Sequence, residues 1–246
     1  MQNIYFLSFG GGGQSYVNAV NRISSEALDS NFFTHIISKS DDDLQNDTTF
    51  MSKYGEFIKN NKRGYGYWLW KPYLIKNLLD KINDNDILIY ADAGCTINKN
   101  GKNQFDRYID AINNSDAGII SFQMGLVEKN WTTKEIFVAT KCENNMEIQN
   151  SGQFHAAFIM MKKCKNVINI FDEVMNVIDS NIDVISDKYN YLQSDYFQDN
   201  RHDQSILSVI RKKYTSVIYD DVTCNDCNQP ILPTRYIRPY IKQYCL

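Results

Sequence analysis

No Pro-, Gly- or Ser-rich linker and no internal repeat interrupts this sequence of 246 residues, so a single domain over residues 1–246 is the simplest reading. No run comes near the roughly 20 apolar residues that a membrane-spanning helix needs. A basic excess is missing too: the formal net charge is -3 and the pI about 5.6. Without a basic field, nucleic acid is not an expected partner. The opening Met1-Gln2-Asn3-Ile4-Tyr5 has no basic stretch ahead of its short apolar run. It therefore reads as a first core strand rather than a signal peptide, and a cytoplasmic location is expected. The 6 cysteines lie mainly in or beside apolar segments, which favours reduced thiols. Cys224-Asn225-Asp226-Cys227 has no second pair to complete a structural zinc site, so it is expected to be a tight loop.

What is present is an ordinary globular complement. Apolar residues make up 43% and charged residues 22%, which indicates neither disorder nor a fibrous repeat. A chain of this length buries roughly three quarters of its unfolded surface on folding. Apolar, β-rich runs alternate with helical patterns. Ile4 to Phe9 reads as a strand, Gly10-Gly11-Gly12-Gly13 as a loop, and about Ser15 to Leu28 as an amphipathic helix. Thr34 to Ser38 follows as a strand, and polar Lys39 to Asp47 reads as a loop. Lys71 to Leu79 carries Tyr73, Leu74, Leu78 and Leu79 at helical spacing, with Pro72 tolerated in a first turn. Asp86 to Tyr90 is the most strand-like segment. Ala117 to Phe122 and Ala156 to Met161 predict further strands, and Phe105 to Ile112, Val167 to Ile178 and Ser205 to Arg211 further helices. This alternation predicts an α/β fold with a mostly parallel sheet, helices on both faces, and binding residues at the strands' carboxyl ends.

Five segments can carry chemistry. Asp92 ends the apolar run Ile87-Leu88-Ile89-Tyr90-Ala91 and precedes Ala93-Gly94-Cys95. A carboxylate there costs several kcal/mol to desolvate unless a cleft, a cation or hydrogen-bond donors compensate it. A hard cation such as Mn²⁺ or Mg²⁺ is one compensation, and capping of the next turn is the other reading. Arg63 to Tyr73 interleaves Tyr65, Tyr67, Trp68 and Trp70 with Arg63 and Lys71. Any one of these aromatics is better read as core filling, but taken together with Gly64, Gly66, Arg63 and Lys71 they read as a site, because aromatic faces stack on sugars or bases and the cations neutralise a diphosphate. The Gly10 loop offers backbone N–H groups and a helix N-terminus to an anion or nucleotide. It is no P-loop, and it only approximates the dinucleotide fingerprint. In Asn150 to Phe158, Gln153 and His155 precede a strand, and in Arg201-His202-Asp203-Gln204 an acid opens a helix. That acid either stabilises the helix dipole or acts as a general base.

An aliphatic strand ending in an acid, as Ile87 to Asp92 does, resembles the DxD-containing nucleotide-sugar glycosyltransferases of the GT-A fold. The segments Gly64-Tyr65-Gly66-Tyr67-Trp68-Leu69-Trp70-Lys71-Pro72 and Tyr90-Ala91-Asp92-Ala93-Gly94-Cys95 resemble a viral and bacterial subgroup of them. The sequence departs from the pattern at Tyr90, which stands where the first Asp would be. The resemblance implies a GT-A fold whose first part, about 1–95, holds the nucleotide, while about 96–246 shapes the acceptor site. It implies a nucleotide-sugar donor, UDP by family habit, a glycan or glycoprotein acceptor, and Mn²⁺ or Mg²⁺ held by Asp92 with His202 as a further ligand. It places Ser8, Phe9, Gly10, Arg63, Trp70, Lys71, Tyr90, Ala91, Asp92, Gln153 and His155 at the donor, Lys71 on its phosphates. Asp203 becomes the base if configuration inverts. Rival readings are a non-catalytic carbohydrate-binding domain and an NAD-dependent oxidoreductase built on the Gly10 loop.

Overall fold

The apolar runs and amphipathic stretches become strands and helices in the order expected, with short elements between them. The computed structural model describes residues 2–221 and 228–234, so the Cys224/Cys227 pair lies outside the described residues. The first half comprises β1 (Ile4–Gly10), α1 (Gln14–Ser30), β2 (His35–Ser40), α2 (Asp41–Gln45), α3 (Thr48–Asn60), the turn α4 (Gly64–Tyr67), α5 (Trp70–Lys81), β3 (Ile87–Ala91) and β4 (Thr96–Ile97). The second comprises α6 (Lys102–Asn113), β5 (Ile119–Val127), α7 (Glu128–Trp131), α8 (Lys134–Ala139), α9 (Met146–Asn150), β6 (Gly152–Phe154), β7 (Phe158–Lys162), α10 (Lys165–Ser180), α11 (Asp203–Lys213), β8 (Val217–Asp220) and β9 (Ile231–Leu232). No helix among the described residues is long and apolar enough to cross a membrane.

The protein is α/β, with a mostly parallel central sheet. Its strands run in the order β2-β1-β3-β7-β5-β6, with β8 against β5. Strands β1, β2, β3, β5 and β8 share one direction, and β6 and β7 are reversed. Successive residues of a strand face opposite sides, and β3, buried throughout, shows the consequence. Leu88 and Tyr90 join the layer of α3, α5, α10 and α11, whereas Ile87, Ile89 and Ala91 join the layer of α1 and α6. Helices therefore cover both faces.

The reversed strands are the departure that matters for the site. Phe154 pairs with Gln123, and Met160 with Ile120, so three steps along β5 are matched by six along the returning chain. β6 and β7 thus act as one return strand with three residues, His155 to Ala157, bulged out of the ladder. Such bulges re-aim side chains and free carbonyls.

Two local expectations are corrected. Lys39 to Asp47 is not all loop, because Ser40 and Asp43 form a capping box and Asp41, Asp42 and Asp43 occupy the first turn of α2, where the helix dipole favours acids. Thr48–Asn60, unassigned from the sequence, is a helix capped by Asp47 and buries Phe50, Tyr54 and Ile58 at four-residue spacing.

Candidate active site

Three residues distant in sequence meet at the end of β3. Lys71 enters from the first turn of α5, Asp92 is the first residue beyond β3, and Asp203 opens α11. Lys71 Nζ lies 2.7 Å from Asp203 Oδ2 and 3.0 Å from Asp92 Oδ1, and it donates to the carbonyl of Ala156 at 3.1 Å. An ammonium has three N–H donors, and three oxygens surround this one. Lys71 is 3% exposed. Burial alone would lower its pKa, but the pull of Asp203 and then Asp92 holds it above the ordinary lysine value. Tyr90 donates its hydroxyl to Asp92 Oδ1 at 2.6 Å, while Asp92 Oδ2 has no protein partner among the described residues. Burial pushes the Asp203 carboxyl up to about 6 against the opposing pull of Lys71. Charging Asp203 is therefore difficult but achievable near neutrality, the condition of a poised base.

The bulge supplies the adjoining wall, and its freed carbonyls are all taken up. Arg211, fully buried in α11, donates to Phe154 O and His155 O at 3.1 and 2.8 Å. Lys71 takes Ala156 O, and the Asp92 amide donates to Ala157 O at 2.7 Å. His155 stacks on Phe122 with ring centroids 5.2 Å apart. Neither of its ring nitrogens has a hydrogen-bond partner among the described residues, and burial lowers its pKa to about 4, so the ring is neutral.

Opposite the acids runs the aromatic segment. Tyr65, Gly66, Tyr67 and Trp68 follow one another with φ of 52°, 84°, 54° and 60°, a left-handed turn that costs about 1–2 kcal/mol for each non-glycine residue. Gly66 is required there, since a Cβ would meet Ile58 Cγ1 at 2.6 Å. The turn presents Tyr65 and Trp68 to a cavity of about 480 Å³, lined also by Phe9, Gly11, Gly12, Arg63, Trp70, Lys71, Asp92, His155, Arg201, His202 and Asp203. Strain of this kind persists where the surroundings over-determine it, and it clusters at functional sites.

The structure thus gathers Phe9, Arg63, Trp70, Lys71, Asp92, His155, His202 and Asp203 around one cavity. It places the remaining candidates behind the wall. Ser8, Tyr90 and Gln153 are fully buried, and Ala91 faces the opposite layer because of the strand alternation. Gly10 serves packing, since a Cβ there would lie 2.1 Å from the carbonyl oxygen of Tyr16. Gln153 donates to Thr132 Oγ1 at 2.9 Å and accepts from Gln204 at 2.7 Å, so it orients Gln204, which does line the cavity. Lys71, expected on the phosphates, forms ion pairs with Asp92 and Asp203 and donates to Ala156 O. Sequence reasoning missed Tyr16, Asn200, Arg201, Gln204 and Asp221, all of which line the cavity. Arg201 and Gln204 flank Asp203, so proximity to that acid was the signal available.

The residues fit a divalent metal poorly. His202, the further ligand that the resemblance implies, has its Nε2 2.9 Å from Asp187 Oδ1 and its ring stacked on Tyr67 at 4.9 Å. Among the described residues no three His, Cys, Asp or Glu side chains gather to hold an ion. Asp92 and Asp203 already share an ammonium.

No family model matches the sequence, and no curated protein does. Among solved structures the chain is similar to a glycosyltransferase involved in glycosylation of the major capsid of PBCV-1, at 9% identity and a TM-score of 0.48, covering 94% of this chain and 93% of that one. Mouse xyloside xylosyltransferase 1 gives 13% identity and 0.47, covering 89% and 86%. The galactosyltransferase LgtC, solved with donor and acceptor sugar analogs, gives 12% and 0.43, covering 89% and 74%. What the cavity can do is read from its own residues.

Proposed function

We propose that the protein is a glycosyltransferase that moves a sugar from a nucleoside-diphosphate donor, UDP by the habit of the resembled family, to a hydroxyl of a glycan or glycoprotein acceptor. The observation that carries this reading is the pair of acids, Asp92 and Asp203, held on one ammonium beneath an aromatic-lined cavity at the carboxyl ends of β1 and β3. Ligands of open α/β sheets bind at such strand ends. Aromatic faces suit a base or a sugar ring, and carboxylates accept hydrogen bonds from hydroxyls. Residues from both parts of the chain, about 1–95 and about 96–246, line the cavity, as expected if one part holds the nucleotide and the other the acceptor.

In this reading the diphosphate lies toward Lys62, Arg63 and Arg201, and the transferred sugar lies over Asp92. Asp203 then takes the proton of the acceptor hydroxyl as the new glycosidic bond forms and the nucleoside diphosphate departs. Cationic groups aimed at the departing diphosphate stabilise the charge that develops on it.

A thermal-shift panel of nucleosides, nucleoside diphosphates and nucleotide-sugars tests the reading. A ligand at about 100 times its Kd adds roughly 2.7 kcal/mol, which raises the melting temperature of a domain this size by about 5–10 °C. Nucleoside diphosphates and nucleotide-sugars are expected to give that rise, and free nucleosides much less. No shift with any of them would contradict the reading.

A further inference from the structure

The place between Asp92 and Asp203 is where a divalent cation shared by two carboxylates would sit, and Lys71 Nζ fills it, with oxygens at 2.7, 3.0 and 3.1 Å. We propose that Lys71 takes over the role of a metal ion in this protein, so that the cavity binds a nucleoside diphosphate without a divalent cation and Asp92 and Asp203 receive sugar hydroxyls instead of a metal. The inference rests on the glycosyltransferase reading and departs from the metal dependence that the sequence resemblance implies.

Three observations support it. The ammonium is buried, paired and in reach of three oxygens, so it is a fixed part of the site rather than a mobile surface charge. A metal at the remaining oxygen, Asp92 Oδ2, would share its carboxylate with that ammonium and be repelled by it, and among the described residues no cluster of His, Cys, Asp or Glu stands ready to complete its coordination. His202, the other expected ligand, is committed to Asp187 and to the face of Tyr67.

Cations stand elsewhere on the cavity wall, at Lys62, Arg201 and Arg63, the last of which also pairs with Asp187 and Asp199. Arg201 stacks over Trp131 at 4.4 Å, and its buried Nε has no hydrogen-bond partner among the described residues. The acids, relieved of metal coordination, accept from hydroxyls through Asp92, which lines the cavity and whose Oδ2 has no protein partner among the described residues, and through Asp203.

The test uses the full chain and two probes, Mn²⁺ followed by electron paramagnetic resonance and UDP followed by calorimetry. Wild-type protein is expected to leave the free Mn²⁺ signal undiminished, and UDP is expected to bind equally in EDTA and in Mn²⁺, to within about twofold, since two ligands that do not couple leave each other's affinity unchanged. Lys71→Ala, which leaves Asp92, Asp203 and the Ala156 carbonyl around a vacated position, is expected to take up Mn²⁺. Depletion of Mn²⁺ by the wild type, or tightening of UDP by about tenfold or more on adding Mn²⁺, overturns the inference and leaves the glycosyltransferase reading standing. If UDP binds in neither buffer the reading of the donor is at fault, and the wild-type Mn²⁺ signal still decides the question of the metal. Both decisive arms use wild-type protein, so a variant that fails to fold does not spoil them.

Discussion

Asp203→Asn lowers the rate of sugar transfer by about 10² to 10⁴, the usual contribution of a general base, and leaves nucleotide affinity and melting temperature in place. The amide keeps the volume and still offers Lys71 an oxygen, so the ammonium remains bridged to Asp92. As a mere helix-start charge Asp203 would contribute only about 0.3–1 kcal/mol of stability, and its loss would leave transfer intact. The pH profile separates these roles further. A base works in its ionised form, and the carboxyl is pushed up to about 6, burial outweighing the pull of Lys71. Transfer by the wild type is therefore expected to fall as pH drops below about 6, and that limb is expected to vanish in the variant. A variant that instead loses donor affinity would reassign Asp203 to holding the donor sugar, as a retaining reaction requires.

Lys71→Met is expected to be the most destabilising single change at the site. It leaves the buried Asp203 without a counter-charge beside the partly exposed Asp92, and breaking a buried pair in this way costs about 3–5 kcal/mol. For a domain of this size each kcal/mol moves the melting temperature by about 2–4 °C, so calorimetry should record a fall of about 6–20 °C, together with loss of transfer. Adding Asp203→Asn to Lys71→Met removes one of the opposed charges and is expected to recover part of that fall, a non-additivity that contacting residues show. A Lys71→Met protein with wild-type melting temperature would show that the ammonium is not what holds the two acids.

The sequence was informative where an element boundary coincided with a functional residue. Lys71, Asp92 and Asp203 each stand at such a boundary, at a helix start, a strand end and a helix start, and each is conspicuous as a charge beside an apolar run. Their meeting was not legible, because it joins residues 21 and 111 positions apart in the chain, and local pattern carries no information about such pairing. The bulge at His155 to Ala157 was hidden for the same reason, since it exists only as a mismatch of register against β5. Gln153 looked like a ligand residue because an amide beside a strand suits hydroxyls, yet its alternation position turns it into the core. Arg201 carried no periodic signal at all. The aromatic segment was visible as a composition, but its left-handed turn required the packing of Ile58 and Trp68 against glycines to be seen.

The measurement that bears most directly on the account is transfer itself. Wild-type protein is incubated with isotopically labelled nucleotide-sugars and a set of simple glycoside acceptors, and nucleoside diphosphate and labelled product are followed together by mass spectrometry. The account predicts release of nucleoside diphosphate matched by a new glycosidic product for at least one donor, both suppressed by Asp203→Asn. Binding of the nucleotide-sugars in the cavity with neither transfer nor hydrolysis, in the wild type as in the variant, would contradict it and leave a carbohydrate-binding domain on an α/β fold.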